Sequence, residues 1–200
     1  MSEKTPLELL ATQDPVMADL IVEYGSCPLL RGKGDPIDSL FGAIMGQQIS
    51  ANVARTLRSR FYERYGRKSS KWGEKLCRAQ IAQLRKLGLS ENKSRTIKAL
   101  GTALANNELS AAKLRRASDE EVFATLTAFR GVGPWTAEIV LLSGLRRLDT
   151  FTYGDLGLKR GMQLAYGLRK LPSERRMREI SKAWHPYRAV ASWYLWQVAG

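Results

Sequence analysis

The residues Gly131-Val132-Gly133-Pro134, lying between two helical stretches, are the first group in this chain with types and spacing suited to chemistry. Glycine has no Cβ and reaches positive φ easily, so Gly131 and Gly133 allow a backbone to approach an anion closely. Pro134 suits the first position of the helix that follows. The amides of Gly131 and Gly133, and of the first turn holding Thr136, would then point at a phosphate, helped by the helix dipole. Such a contact grips without reading sequence. The same residues also make an ordinary corner between helices, and the motif alone leaves both readings open. The second candidate is Asp155, at the end of Phe151-Thr152-Tyr153-Gly154-Asp155 and just before an apolar helical run. An aspartate there is first of all an N-cap, and the positive end of the helix favours an anion at that place. Transition-metal chemistry has almost no ligands to draw on. Cys27 and Cys77 stand fifty residues apart and His185 is the single histidine, too few for a dedicated zinc or iron–sulfur centre.

The composition narrows the partner. Thirty-two Lys and Arg against nineteen Asp and Glu give a net charge of +13 and a pI near 10.0. Such a field attracts polyanions, nucleic acid first among them. The basic clusters at 55–67, 85–98 and 159–178 are spread along the chain, which points to a folded basic surface rather than a disordered tail. With 44% hydrophobic residues in 200, one full domain or two small subdomains can bury a core. The longest uncharged run, 39–54, is interrupted by Gln47, Gln48, Ser50 and Asn52, so no membrane span is expected. The first ten residues lack the pattern of a secretory signal. Two cysteines fit a reducing compartment better than a disulfide scaffold.

The elements that must position these residues read as helices. Apolar residues recur at spacings of three and four almost throughout. Asp14-Pro15 opens a helix to about Tyr24, and 27–36 is expected to be a loop. Helices follow over about 38–45 and 50–65, the latter with Val53, Leu57, Phe61 and Tyr65 on one stripe, then over 79–87 and 91–105. Ser118-Asp119-Glu120-Glu121 is a capping box opening a helix to about 128. Further helices are predicted at 134–143, 155–166, from Ser173, and from Pro186 to about 198. About ten short helices and no repeat define an all-α domain.

Five motifs in order carry a resemblance: Gly46-Gln47-Gln48-Ile49-Ser50, Gly88-Leu89-Ser90 with Lys93, Gly133-Pro134-Trp135-Thr136-Ala137, Asp155-Leu156-Gly157-Leu158, and Trp184-His185-Pro186-Tyr187-Arg188 with Tyr194-Leu195-Trp196. Over about 38–196 the chain resembles the helix–hairpin–helix DNA glycosylase superfamily, and within it the DNA-3-methyladenine glycosylase II branch. The resemblance implies an all-α, helix–hairpin–helix glycosylase fold with one catalytic domain, 1–200. A middle subdomain, 36–148, would carry wedge and hairpin. A second, 1–35 plus 149–200, would face it across a DNA-binding cleft.

The resemblance also implies roles. Asp155 would be the catalytic carboxylate that stabilises an oxocarbenium-like sugar and orients water. Asp149 would be structural. Trp135 and Trp196 would line the pocket for a flipped, cationic purine, while Trp184 and Trp193 pack the core. Gln48, with Gln47 and Ile49 beside it, would fill the gap left by the base. Gly131, Gly133 and Thr136 would hold phosphate. No cofactor is required, though carbonyls of Thr127, Phe129 and Val132 would suit a structural Na⁺ or K⁺. Trp135 stands where strand-cutting relatives carry a Schiff-base lysine, which implies a monofunctional hydrolase leaving an abasic site. His185 reads as a cap or a phosphate neighbour. The implied partner is double-stranded DNA with damaged bases, bound by a monomer without membrane contact. The implied location is bacterial cytoplasm and nucleoid, or a eukaryotic nucleus, without secretion. The alternatives are a glycosylase for deaminated or oxidised bases, or a non-catalytic helix–hairpin–helix DNA-binding module.

Overall fold

Side-chain caps set most helix boundaries in the computed structural model, which describes residues 4–200. In chain order the α-helices are α1 (Pro6–Gln13), α2 (Pro15–Tyr24), α3 (Pro36–Gly46), α4 (Ala51–Tyr65), α5 (Trp72–Cys77), α6 (Ile81–Arg85), α7 (Glu91–Ala105), α8 (Ala111–Arg116), α9 (Asp119–Thr127), α10 (Pro134–Ile139), α11 (Leu156–Ala165), α12 (Glu174–Ser181) and α13 (Arg188–Ala199). No strand occurs among the described residues, so the fold is all-α. The Ser118 capping box forms as predicted, with Ser118 Oγ accepting from the Glu121 amide and Glu121 reaching back to the Ser118 amide. No helix is long and apolar enough to cross a membrane among the described residues.

The chain divides into two compact units. One is continuous, Gly34–Leu145; the other joins Met1–Lys33 to Arg146–Gly200. In the continuous unit, Trp72 packs against Phe41 and Phe61 with ring centroids 5.2 and 5.0 Å apart. Its indole N–H is satisfied by the Gly66 carbonyl at 2.8 Å, so a large apolar ring is buried without an orphaned donor.

The discontinuous unit is tied at Asp14. This buried aspartate caps α2, its Oδ1 accepting from the amides of Val16 and Met17. Its Oδ2 accepts from the Tyr166 hydroxyl and from Trp184 Nε1. Burial, then the hydrogen bond and charge of Asp14, push the Tyr166 phenol far above its usual range. Tyr194 Oη donates to the Gly25 carbonyl at 2.7 Å. Met17, Met162, Trp184 and Tyr194 are fully buried around these contacts.

Several sequence expectations need correction. Val53 is exposed while Leu57, Phe61 and Tyr65 are buried, because Val53 lies in the first turn of α4, beyond the packed part of the stripe. The last helix starts at Arg188, not Pro186. The Tyr187 amide first closes a tight turn onto the Trp184 carbonyl. The expected loop at 27–36 contains a short 3₁₀ turn, Pro28–Leu30. The helix expected over 79–87 shortens to α6, and α1, α5 and α8 add to those read from the pattern. After Ile139 the expected 134–143 helix widens into a π turn, Val140–Gly144. There the Ser143 hydroxyl donates to the Ile139 carbonyl at 2.7 Å and pairs with Ser39 Oγ at 2.6 Å. Side-chain bonds of this kind compete with the regular helical ladder.

Candidate functional site

The loop before α11 is built to hold one carboxylate still. Phe151 is buried and packs on Trp184 at 5.7 Å, and Tyr153 meets Phe151 edge-on at 4.9 Å. The Arg178 guanidinium lies 3.9 Å from the Tyr153 ring centroid, a cation–π contact. Asp155 follows as the N-cap of α11 and is 7% exposed. Its Oδ1 accepts the Leu158 amide at 2.7 Å and Trp196 Nε1 at 3.1 Å. One donor comes from its own helix and one from α13, so both the position and the rotation of the carboxylate are constrained. Thr152 is fully buried in the same loop, and its hydroxyl has no hydrogen-bond partner.

Gly157 makes room for this pair. A Cβ at 157 would stand 3.0 Å from Asp155 Oδ1, 3.2 Å from Trp196 Cδ1 and 3.4 Å from Trp196 Nε1. Only a residue without a side chain leaves these three groups where they are. Sequence reasoning quoted Gly157 within a motif without giving it a task. The signal was present, since a glycine in the first turn of a helix lowers helix propensity without local reason. Leu156, beside the carboxylate, is 67% exposed.

Asp149 is engaged elsewhere. Arg188 binds it through Nε and Nη2 at 2.8 and 2.7 Å, and His185 Nδ1 lies 2.8 Å from its Oδ2. Burial acts to raise the Asp149 carboxyl, but hydrogen bonds and charge from Arg188 and His185 outweigh it and hold it below the ordinary value. His185, expected as a cap or phosphate neighbour, is thus a partner of Asp149. Trp184 is buried as expected; Trp193 is half-buried and meets Tyr194 edge-on.

The hairpin lies in the continuous unit, between α9 and α10. Gly131 has φ +89°, and a Cβ there would meet Thr96 Oγ1 at 2.2 Å. Thr96 Oγ1 donates to the Arg130 carbonyl at 3.0 Å and fixes the turn from below. Gly133 does not use the positive φ open to a glycine. It is extended, with φ −97° and ψ 178°, and it caps α10. No atom lies within 4 Å of a Cβ placed on it, so its bare backbone faces open space. The Val132 amide closes the turn on the Phe129 carbonyl at 3.0 Å. Thr136 is buried, and its hydroxyl accepts from Gln47 Nε2 at 3.0 Å; what it can offer an anion is therefore its backbone amide in the first turn of α10. Trp135 is half-buried in that turn.

The Gln47–Ser50 segment joins α3 to α4. Gln47 Nε2 also donates to the Gly131 carbonyl at 3.1 Å. Gln48 is exposed with φ +57°, and Ile49 is 37% exposed. Lys93 donates from Nζ to the carbonyls of Met45 at 3.0 Å and Gln47 at 2.6 Å. Beside the hairpin, a cavity of about 320 Å³ is lined by Asn92, Arg95, Thr96, Ala99, Arg130 and Gly131. No group of three His, Cys, Asp or Glu side chains able to hold a metal occurs among the described residues. The carbonyls of Thr127, Phe129 and Val132 fall at the end of α9 and in the turn. They are hard, neutral oxygens of the type alkali cations take, although that of Phe129 already accepts the Val132 amide.

An all-α fold with a glycine-turned hairpin between two helices, on a chain of net charge +13, defines the helix–hairpin–helix class. Residues 41–186 match the model of the HhH-GPD superfamily of base excision DNA repair proteins, and the chain belongs to that family. It is 28% identical to the DNA-3-methyladenine glycosylase of Bacillus subtilis, over 98% of this chain and 68% of that protein. Among solved structures it is similar to a DNA-3-methyladenine glycosidase from Bacillus halodurans, at TM-score 0.74 and 30% identity, covering 99% and 90% of the two chains. A 3-methyladenine DNA glycosylase of Schizosaccharomyces pombe solved with abasic DNA shares the fold, at TM-score 0.83 and 24% identity over 97% and 96%.

Proposed function

We propose that this protein is a monofunctional DNA glycosylase that flips an alkylated purine, of the 3-methyladenine or 7-methylguanine type, and hydrolyses its bond to the sugar. The observation that carries this reading is Asp155, an almost fully buried carboxylate clamped by two donors on one oxygen. Loss of a cationic base builds positive charge on the sugar, and a preorganised anion lowers the energy of that state. The same group can orient the attacking water on the anomeric carbon. The names of the relatives supply the substrate class.

The remaining roles follow. Gly131, Gly133 and the amide of Thr136 hold a phosphate of double-stranded DNA. Gln48 and Ile49 enter the stack, with Gln47 behind them. Trp196 offers its ring to the flipped base, whose alkylated ring is cationic and suits electron-rich faces; the resemblance assigns Trp135 the same task. Trp196 does this while its N–H holds Asp155. Thr127, Phe129 and Val132 offer carbonyls to a Na⁺ or K⁺. The protein acts as a monomer and leaves an abasic site.

The test is direct. Purified protein is incubated with duplex DNA carrying 7-methylguanine or 3-methyladenine, and released base is measured by chromatography. Release of free methylated purine is expected. DNA binding without release from either lesion would overturn the alkylated-purine reading.

A further inference from the structure

We propose that Lys93 and Gln47 are positioning residues that lock the exposed Gln48–Ile49 tip onto the phosphate-binding hairpin, so that duplex insertion and phosphate grip form one rigid device. The inference rests on the glycosylase reading above for the roles of tip and hairpin; the brace itself is geometry within one unit. Gln47 spends its amide group on the turn, donating to Gly131 O at 3.1 Å and Thr136 Oγ1 at 3.0 Å. Its own carbonyl is held by Lys93 Nζ at 2.6 Å, and Lys93 also holds Met45 O at 3.0 Å. One glutamine thus links hairpin to loop, and one lysine links loop to α7.

The placement of Lys93 is informative. Lys93 lies in the first turn of α7, where its amide bonds to the Ser90 cap. A cation is disfavoured at that positive helix end but favoured at the carbonyl end of another helix. Met45 and Gln47 supply such carbonyls at the end of α3. Burial lowers the Lys93 ammonium from its ordinary value, and the carbonyls of Met45 and Gln47 act against that by accepting its hydrogen bonds. The tip it holds is strained. Gln48 has φ +57°, a conformation unfavourable for a residue with a Cβ that persists where surroundings enforce it. A loop left free would relax and spend binding energy on ordering when it meets DNA.

Two substitutions test the brace. Lys93→Met removes the cation and keeps the aliphatic stem; Gln47→Met keeps volume and removes both side-chain donors. Each is compared with wild type in melting temperature, amide hydrogen exchange of residues 47–50, and single-turnover release of 7-methylguanine opposite cytosine and opposite thymine. A mismatched base is easier to flip. Folded variants should exchange faster at 48–50 and lose at least about tenfold in release from the cytosine pair, since small misplacements are costly. The loss opposite thymine should be clearly smaller, because less work is asked of the tip. Equal loss on both duplexes, or unchanged exchange with wild-type release, overturns the brace. Wild-type protein inert on both duplexes and on 3-methyladenine defeats the glycosylase reading instead, and the exchange comparison then decides the brace alone. If one variant fails to fold, the other carries the test.

Discussion

Trp196 Nε1 reaches from α13 to Asp155 Oδ1 at 3.1 Å, and the Leu158 amide meets the same oxygen at 2.7 Å. The carboxylate is thereby held by its own helix and by a side chain forty-one residues further on, and a tryptophan expected only to face a base also fixes the proposed catalytic group. Trp196→Phe separates these tasks. Phenylalanine keeps an aromatic face and loses the donor. A hydrogen bond to a charged group is worth roughly 1.5–3 kcal/mol, or about 10- to 100-fold in rate if it matters in the transition state. Single-turnover base release should fall within that range while affinity for undamaged duplex holds. Wild-type release from a folded Trp196→Phe protein would remove the positioning role.

Asp155→Asn should fold, bind DNA and scarcely excise. Asparagine caps helices about as well as aspartate, and its carbonyl can still accept from Leu158 and Trp196. Without the charge, stabilisation of a cationic sugar is lost, and removal of one preorganised group commonly costs roughly 100-fold or more. Melting temperature, DNA affinity and base release on this variant decide the matter. Release at the wild-type rate would end the catalytic assignment.

Gly157→Ala should damage activity more than stability. Alanine improves helix propensity by about 0.5–1 kcal/mol, which offsets part of the crowding at 3.0 Å from Asp155 Oδ1 and 3.2 Å from Trp196 Cδ1. Relief requires a shift of a few tenths of an ångström in one of the two. Since a displacement near 1 Å costs on the order of 100-fold, about tenfold slower release is expected. Unchanged kinetics, with the melting temperature raised, would mean that the two groups need no such register.

Asp149→Asn tests the other carboxylate through pH. Asp149 titrates below its ordinary value in the folded protein, so its stabilising effect is present above the unfolded pKa and lost as pH falls through the folded one. At neutral pH the variant should be less stable by roughly 1–3 kcal/mol, the scale of charge-assisted bonds from Arg188. The difference in melting temperature from wild type should shrink as pH drops through the acidic range. A constant difference across that range would contradict the assignment.

Thr152→Val should stabilise the protein. The hydroxyl is buried and unpartnered, and valine matches the shape without the desolvation penalty, a gain of about 1 kcal/mol. Chemical denaturation reads this, and a loss of stability would show that the hydroxyl has work in the fold.

Local chemistry was legible in the sequence, and contacts across long separations were not. The Asp14, Ser118 and Asp155 caps, and the turn at Gly131, follow from neighbours three residues away. The conformation of Gly133 is open in the sequence, because a glycine can take positive φ or serve as an extended N-cap with its face open. Gln47 stood among residues expected near the DNA stack, whereas its side chain reaches a residue eighty-four positions on. Lys93 and Trp196 likewise find partners forty or more positions away. Periodicity cannot announce such bonds, because polar side chains make them once the helices have packed. Val53 failed for a related reason: a stripe says which face is apolar, not how far along the helix the neighbour extends.

The division of the chain has a consequence for the order of folding. Gly34–Leu145 is continuous, so synthesis completes the hairpin unit while much of the other unit is still to be made. That other unit depends on Trp184 meeting Asp14 and Tyr194 meeting Gly25, partners 170 and 169 residues apart. Closing such long loops is slow relative to local helix packing. A nascent chain that has left the ribosome as far as Leu145 therefore has every residue of the hairpin unit but none of the Asp155 loop. On the proposed reading, the part assigned to holding DNA is made before the part assigned to releasing the base is complete.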